Sequence, residues 1–422
     1  MQNLLYLCAL FGCIDLNLIT LILTIAILFG LTDFLTERFP RLQRDIYYIA
    51  FGVIAFLFTI KYYYGADIWN YVNFYQELKR PQYILSHPDD IPLNFEIGYA
   101  LFCSVLKSWG VSYYWHTVII SIFYFTVIAI LFTKIERKRS FALAILVVLD
   151  YNCIFAAHRQ CMAVGFFILM ILCLEKKRYL WMLLCAALTI AFHKSGAFVV
   201  GIVLFYNMVR YKWVPAYIYQ LLLFLLVVVF LLPIVNISSS FVNHLPLQSS
   251  YISSIQHHLG VGRQLQIVFL LYAATIMVVM HFNQYKQSRM SSIAATAIVG
   301  LVVVVVFYQY YYILWRIRSY FIPIVIVYGF SMIQQAEDKH IYVPYGMLLK
   351  QACSVFLIFY LGYYSYSFHK STKDMQHPIY TSCTVFDLIG KRSGDVQKAQ
   401  LLKARLWWED DFQRMQGNKL DR

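Results

Sequence analysis

Charge is what this chain has least of: 13% of its 422 residues are Asp, Glu, Lys or Arg, against 61% hydrophobic. A soluble domain of this length carries about a quarter charged residues, so the composition excludes one and fits a polytopic membrane protein. Acidic residues are scarcer still, 21 against 35 Lys and Arg. The resulting charge of +14 does not call for nucleic acid, because basic residues in short loops set membrane topology. Cysteine pairs are missing. Cys8, Cys13, Cys103, Cys153, Cys161, Cys173, Cys185, Cys353 and Cys383 form no CxxC and have no His at ligand spacing, which speaks against a zinc site or disulfide framework. No metal or other cofactor is expected. A cleavable leader is not expected either: residues 16–36 are too long for a signal core and run into Arg38, Arg41 and Arg44, so they read as a retained span.

What the chain has instead is long apolar runs. About 20 apolar residues cross a bilayer, and such runs lie at roughly 16–36, 46–62, 113–133, 141–157, 160–174, 179–193, 196–209, 215–235, 265–282, 293–312, 319–333 and 343–364. The expected fold is an all-α polytopic membrane protein of about 12 transmembrane helices. Basic loop clusters fall at Arg38/Arg41/Arg44, Lys134/Arg137/Lys138/Arg139, Lys176/Lys177/Arg178, Arg210/Lys212 and Lys286/Arg289. One alternating path places all five in the cytoplasm and starts the chain outside. Residues 1–367 then form the membrane domain, with external segments 63–112 and 236–264, and 368–422 form a polar tail. His244, His257 and His258 in the second external segment have no carboxylate beside them and read as a solvated loop. The span count puts the tail outside, whereas its Lys and Arg residues suit the cytoplasm; the sequence leaves both sides open.

Polar islands break this apolar pattern. Arg159 and Gln160 interrupt the run Ser140–Leu174, and His193, Lys194 and Ser195 interrupt Tyr179–Val209. Ionisable groups at membrane depth are costly and mark functional sites by default. The topology places Asp67, Glu96, Arg159, His193, Arg316 and Arg318 on one, extracytoplasmic, face. The segments 140–174 and 179–209 measure about 52 and 46 Å as helix, less than the roughly 60 Å that two crossings need. Their turns are expected to stop short of the outer surface and line a water-filled cavity. The stretch 67–75 reads as an amphipathic interfacial helix. Residues 94–109 read as a re-entrant or interfacial helix, since a full crossing there would invert the following basic loop.

The polar inventory is cationic: Arg159, Arg316 and Arg318, with His193, the carboxylates Asp67 and Glu96, and the donors Gln160, Ser195, Tyr71 and Tyr320. Neither HExxH nor DxD spacing occurs among them. Arginine suits permanently charged, bidentate phosphate recognition, and histidine suits a general base. Together they suit transfer of a group away from a lipid-linked phosphate or pyrophosphate. A flippase for such a lipid and an O-antigen-type ligase share these requirements, although a flippase commonly shows internal repeats and none is evident here.

The stretch Ala157-His158-Arg159-Gln160-Cys161-Met162-Ala163, followed by Ala191-Phe192-His193-Lys194-Ser195-Gly196-Ala197, resembles the EpsG family, Wzy-like membrane proteins of bacterial exopolysaccharide and capsule clusters. Gly65-Ala66-Asp67 with Tyr71, Glu96-Ile97-Gly98-Tyr99, and Arg316-Ile317-Arg318-Ser319-Tyr320-Phe321 are similar to three further elements of that family. Lys61 stands where the family commonly has arginine. The resemblance covers roughly residues 15–335. It implies an architecture like that of the helical GT-C-type membrane glycosyltransferases. It also implies metal-independent polymerisation of undecaprenyl-pyrophosphate-linked oligosaccharides at the outer face of the bacterial cytoplasmic membrane. Arg159, Arg316 and Arg318 would hold pyrophosphate, with Lys61 adding charge. His193 or Glu96 would act as base, Asp67 and Gln160 would position the acceptor sugar, and Tyr71, Ser195 and Tyr320 would be further substrate-binding residues. Expected partners are that lipid-linked oligosaccharide, the bilayer, and a chain-length regulator or export complex.

Overall fold

The computed structural model describes residues 18–63, 67–92, 95–210, 291–306, 311–338, 392, 394–402 and 405–406. The expected spans 215–235, 265–282 and 343–364 and the external segment 236–264 lie outside the described residues. Helices account for all the regular secondary structure described: α1 (Leu18–Leu35), α2 (Pro40–Thr59), α3 (Ile68–Glu77), α4 (Pro81–Ser86), α5 (Ile97–Ser108), α6 (Tyr113–Phe132), α7 (Arg139–Ala156), α8 (His158–Glu175), α9 (Tyr179–Phe192), α10 (Ser195–Arg210), α11 (Ser292–Val306) and α12 (Tyr311–Asp338), with a short 3-10 turn at Pro88–Asp90. By length and composition α2, α6 and α8 are each able to cross a membrane, and α5, α9 and most of α1, α10 and α11 are shorter apolar helices. This is a helical membrane protein.

The helices group into two compact units, one holding the described residues up to Cys161 and from Phe330 onward, the other Met162–Gly329. In the first, α1 packs along α7 and α2, and α2 also meets α6 and α7. Gly30 permits the closest approach: a Cβ there would lie 2.9 Å from Ala144 Cβ and 3.3 Å from Phe141 Cα. Side chains borrowed from elsewhere cap α7 at both ends. At its start, the Asp33 carboxylate accepts the Phe141 backbone N–H (2.9 Å). At its end, Lys61 Nζ donates to the carbonyls of Ile154 (2.8 Å) and Phe155 (3.1 Å). Helix ends leave backbone donors and acceptors unpaired, and an anion at the N-terminus with a cation at the C-terminus also complements the helix dipole. Lys61 is buried, so its charge is directed into the protein. Replacing it, Lys61→Met, should remove about 1.5–3 kcal/mol, the worth of hydrogen bonds to a charged group. A lowered unfolding temperature in detergent, with loss of function in proportion, is the expected result.

This capping lets α7 stop at Ala156 and α8 begin at His158, with only Ala157 between them. Arg159 therefore occupies the first turn of a helix. Before α6 come three short helices. The Lys107 ammonium on α5 takes the carbonyls of Gln76 (2.6 Å) and Leu78 (2.7 Å) at the end of α3. The 10-residue α3 is helical over most of the stretch 67–75 for which an amphipathic helix is expected. The 12-residue α5 extends about 18 Å, well short of a crossing.

In the second unit α9 packs on α10 and α10 on α11. The α9–α10 turn is tight because residue 196 is glycine: a Cβ there would fall 2.7 Å from the Thr189 carbonyl oxygen. Gly300 serves a similar role on α11, where a Cβ would come within 2.6 Å of the Phe321 ring. One expectation differs from what is found. The break anticipated between residues 312 and 319 is absent: α12 is continuous from Tyr311 to Asp338 and carries Arg316 and Arg318 in its first turns. No Gly or Pro occurs between 311 and 322, and two arginines are good helix formers, so charge alone does not end the helix. Pro323 lies farther in.

Candidate active site around Arg159

α3, α5 and the start of α8 converge on one guanidinium. Arg159 Nη1 donates to Glu96 Oε2 at 2.8 Å, and Arg159 Nε reaches the Tyr71 hydroxyl at 3.3 Å. The guanidinium carbon lies 4.8 Å from the Phe95 ring centre and 5.6 Å from that of Tyr71. Phe95 is stacked on Phe74 at 3.7 Å and 3°. The arginine is thus fixed by a carboxylate and a hydroxyl while an aromatic ring packs close to it. Its side chain is 19% exposed and that of Glu96 7%. The ion pair sits in a low-dielectric setting where it is far stronger than at a free surface, and solvent still reaches the arginine.

Each partner is delivered by local structure. Glu96 immediately precedes α5. Tyr71 belongs to the buried face of α3 with Ile68, Val72, Phe74 and Tyr75, a spacing that follows the helical repeat. Asp67 immediately precedes α3 and is half-buried, with its carbonyl accepting the Tyr71 N–H at 3.0 Å. Burial holds the Tyr71 phenol above its ordinary pKa, against the opposing pull of Arg159. The hydroxyl therefore stays protonated through neutral and moderately alkaline pH. Tyr71→Phe should remove one hydrogen bond to a charged group, about 1.5–3 kcal/mol or roughly tenfold to a hundredfold in turnover. Its pH profile should parallel the parent's, since no ionisation is removed.

Around this core the structure adds residues that sequence reasoning did not select. His158 is buried, with Nδ1 3.2 Å from the Tyr113 hydroxyl and its ring 5.2 Å from that of Tyr71. His116 is also buried, with Nε2 3.3 Å from Cys103 Sγ. Their signal was present in the sequence, since each is a polar residue in or beside an apolar run. Gln160, next to Arg159, is buried. Lys61 serves the end of α7, as described above.

In the second unit His193 is buried in the turn between α9 and α10, and its backbone N–H bonds the Thr189 carbonyl at 3.2 Å. Ser195, the first residue of α10, places Oγ 3.1 Å from the Tyr320 hydroxyl. Tyr320 is fully buried, edge-on to Phe167 at 5.5 Å. Arg316 is exposed. Arg318 is half-buried, and its Nε has no hydrogen-bond partner among the described residues. The structure thus brings Arg159, Glu96 and Tyr71 together, with Asp67 at the head of the Tyr71 helix, and separately joins Ser195 to Tyr320. Among the described residues no three His, Cys, Asp or Glu side chains gather to hold a metal ion.

Chemically, the first group is an arginine with a fixed donor fork at a helix N-terminus, a combination suited to phosphate oxygens. No curated protein and no solved structure matches this chain. The model of the EpsG family does match, over residues 46–382. That span takes in α3 to α12 whole and most of α2, with every residue of both polar groups, and the chain belongs to the EpsG family of membrane proteins of exopolysaccharide biosynthesis.

Proposed function

We propose that the protein polymerises undecaprenyl-pyrophosphate-linked oligosaccharides at the extracytoplasmic face of the bacterial cytoplasmic membrane. The observation that carries this reading is Arg159. It is a partly exposed guanidinium at the head of an apolar helix, held by Glu96 and Tyr71. Such a group is expensive to keep at membrane depth and suits the headgroup of a lipid phosphate.

In the proposed reaction a hydroxyl oxygen of the acceptor sugar attacks the anomeric carbon of the lipid-linked chain. The bond from that carbon to the pyrophosphate oxygen breaks, and the electron pair leaves with the lipid pyrophosphate. Arg159, with Arg316 and Arg318, offsets the charge that develops there, a role that needs no metal. The hydroxyl proton passes to a base. Glu96 is salt-bridged to Arg159, which weakens it as a proton acceptor, so His193 is the better candidate. Helix length supports the placement: α7 and α8 are 18 residues each, about 27 Å, so a turn at Ala157 lies below the surface of a 30 Å core if both start from the basic loops. Asp67, Gln160, Ser195 and Tyr320 are assigned to the acceptor sugar.

The reading is tested by supplying two lipid-linked oligosaccharides, one radiolabelled and one with its non-reducing acceptor hydroxyls blocked. The purified chain should transfer the blocked oligosaccharide, which can serve only as donor, to the unblocked labelled one and release lipid pyrophosphate. Movement of intact lipid between leaflets without release would instead identify a flippase. Transfer only to a non-repeat acceptor would identify a ligase.

A further inference from the structure

We infer that the C-terminal residues 394–402 and 405–406 belong to an intramolecular strap docked on α3, on the same membrane face as Arg159. Residues 394–402 are helical, and their burial follows one helical stripe. Gln400 is buried and Val396, Gln397 and Leu401 are half-buried, whereas Asp395, Lys398, Ala399 and Leu402 are exposed. Positions 396, 397, 400 and 401 share a face at a spacing of 3.6 residues per turn. Arg405, four positions beyond Leu401, is itself exposed. Its guanidinium lies 5.9 Å from the ring centre of Trp69, within cation–π range. Trp69 is on α3, half-buried and outside the face that carries Tyr71 and Tyr75 toward the site. The helix that presents Tyr71 to Arg159 is therefore held from behind by the tail.

The contact also decides sidedness, given the reading of α2 as a membrane crossing. α2 begins just past the Arg38 loop, and α3 follows its other end after eight residues. A tail that touches Trp69 must lie opposite the Arg38 loop and the Arg41/Arg44 end of α2. Leu402 and Leu406, four residues apart and both about half exposed, form a second, apolar stripe beside Lys398, as expected of a helix lying at a headgroup interface.

Two measurements on the full-length protein in right-side-out membrane vesicles test the inference, and neither reads polymer formation. Lys398→Cys should react with a membrane-impermeant maleimide before permeabilisation, above the background of the unaltered chain. Labelling only after permeabilisation would overturn the sidedness. The pair Trp69→Cys with Arg405→Cys, treated with a bifunctional maleimide whose spacer is long enough to replace the two side chains, should become cross-linked, as neither single variant does. No cross-link in the treated pair would overturn the docking, while an inactive enzyme with the expected labelling and cross-link would leave the strap standing and count only against the polymerase reading.

Discussion

Arg159→Ala is expected to abolish chain extension, by at least the ~100–1,000-fold that removing one preorganised donor to a developing oxyanion costs. The side chain supplies a permanent charge, a planar donor fork and, through its packing against Phe95, a fixed plane. Arg159→Lys separates these contributions. Lysine restores a point charge but neither the fork nor the plane, so turnover should remain close to that of the alanine variant. A lysine variant at near-parental turnover would show that Arg159 acts through charge alone. Arg159→Ala also leaves the buried Glu96 carboxylate without this partner, so the amount of each variant in the membrane is measured beside its turnover.

The second large effect is on stability. Glu96→Ala leaves the Arg159 guanidinium four-fifths buried without the carboxylate that balances it. Removing one member of a buried pair costs about 3–5 kcal/mol, and the residual exposure of Arg159 puts this case near the lower end. Glu96→Gln should cost less, since an amide oxygen still accepts a hydrogen bond. The informative comparison is the double variant Glu96→Leu with Arg159→Met. Removing both charges should recover much of the stability lost in Glu96→Ala, because two apolar side chains carry no desolvation penalty. It should be as inactive as Arg159→Ala. Thermal unfolding of the detergent-solubilised variants beside an activity assay reads both axes. Recovery of activity with recovery of stability would mean that the pair is only structural.

Much of this site was legible from polarity alone. Arg159 was legible as a charge that interrupts an apolar run, Asp67 and Glu96 as carboxylates that the charge-derived topology puts on its face, and Tyr71 as a hydroxyl donor four residues from Asp67. Their pairing was not legible, since one sequence says that Arg159 needs a counter-charge but not which carboxylate provides it. The same rule, applied evenly, would have flagged Asp33, an acid inside the first apolar run that caps α7 in space. Lys61 was legible as a charge and not as a helix cap, because its partners are backbone carbonyls more than 90 residues away. The continuity of α12 was missed for the opposite reason. Arg316 and Arg318 read as a break only while hydropathy is taken as the sole guide, whereas helix formation there is limited by Gly and Pro, which that stretch lacks. The side of the tail stayed open in the sequence, and the contact between Arg405 and Trp69 is what carries the proposal made for it above.

The central claim is that Arg159 holds the pyrophosphate of a lipid-linked chain while its sugar is transferred. The most direct measurement incubates the purified protein in nanodiscs with undecaprenyl-pyrophosphate oligosaccharide and a metal chelator, and resolves the products by size. A ladder of repeat units should form with the parent chain and vanish with Arg159→Ala, with lipid pyrophosphate released in step with each rung. An undiminished ladder from the Arg159→Ala protein would contradict the account.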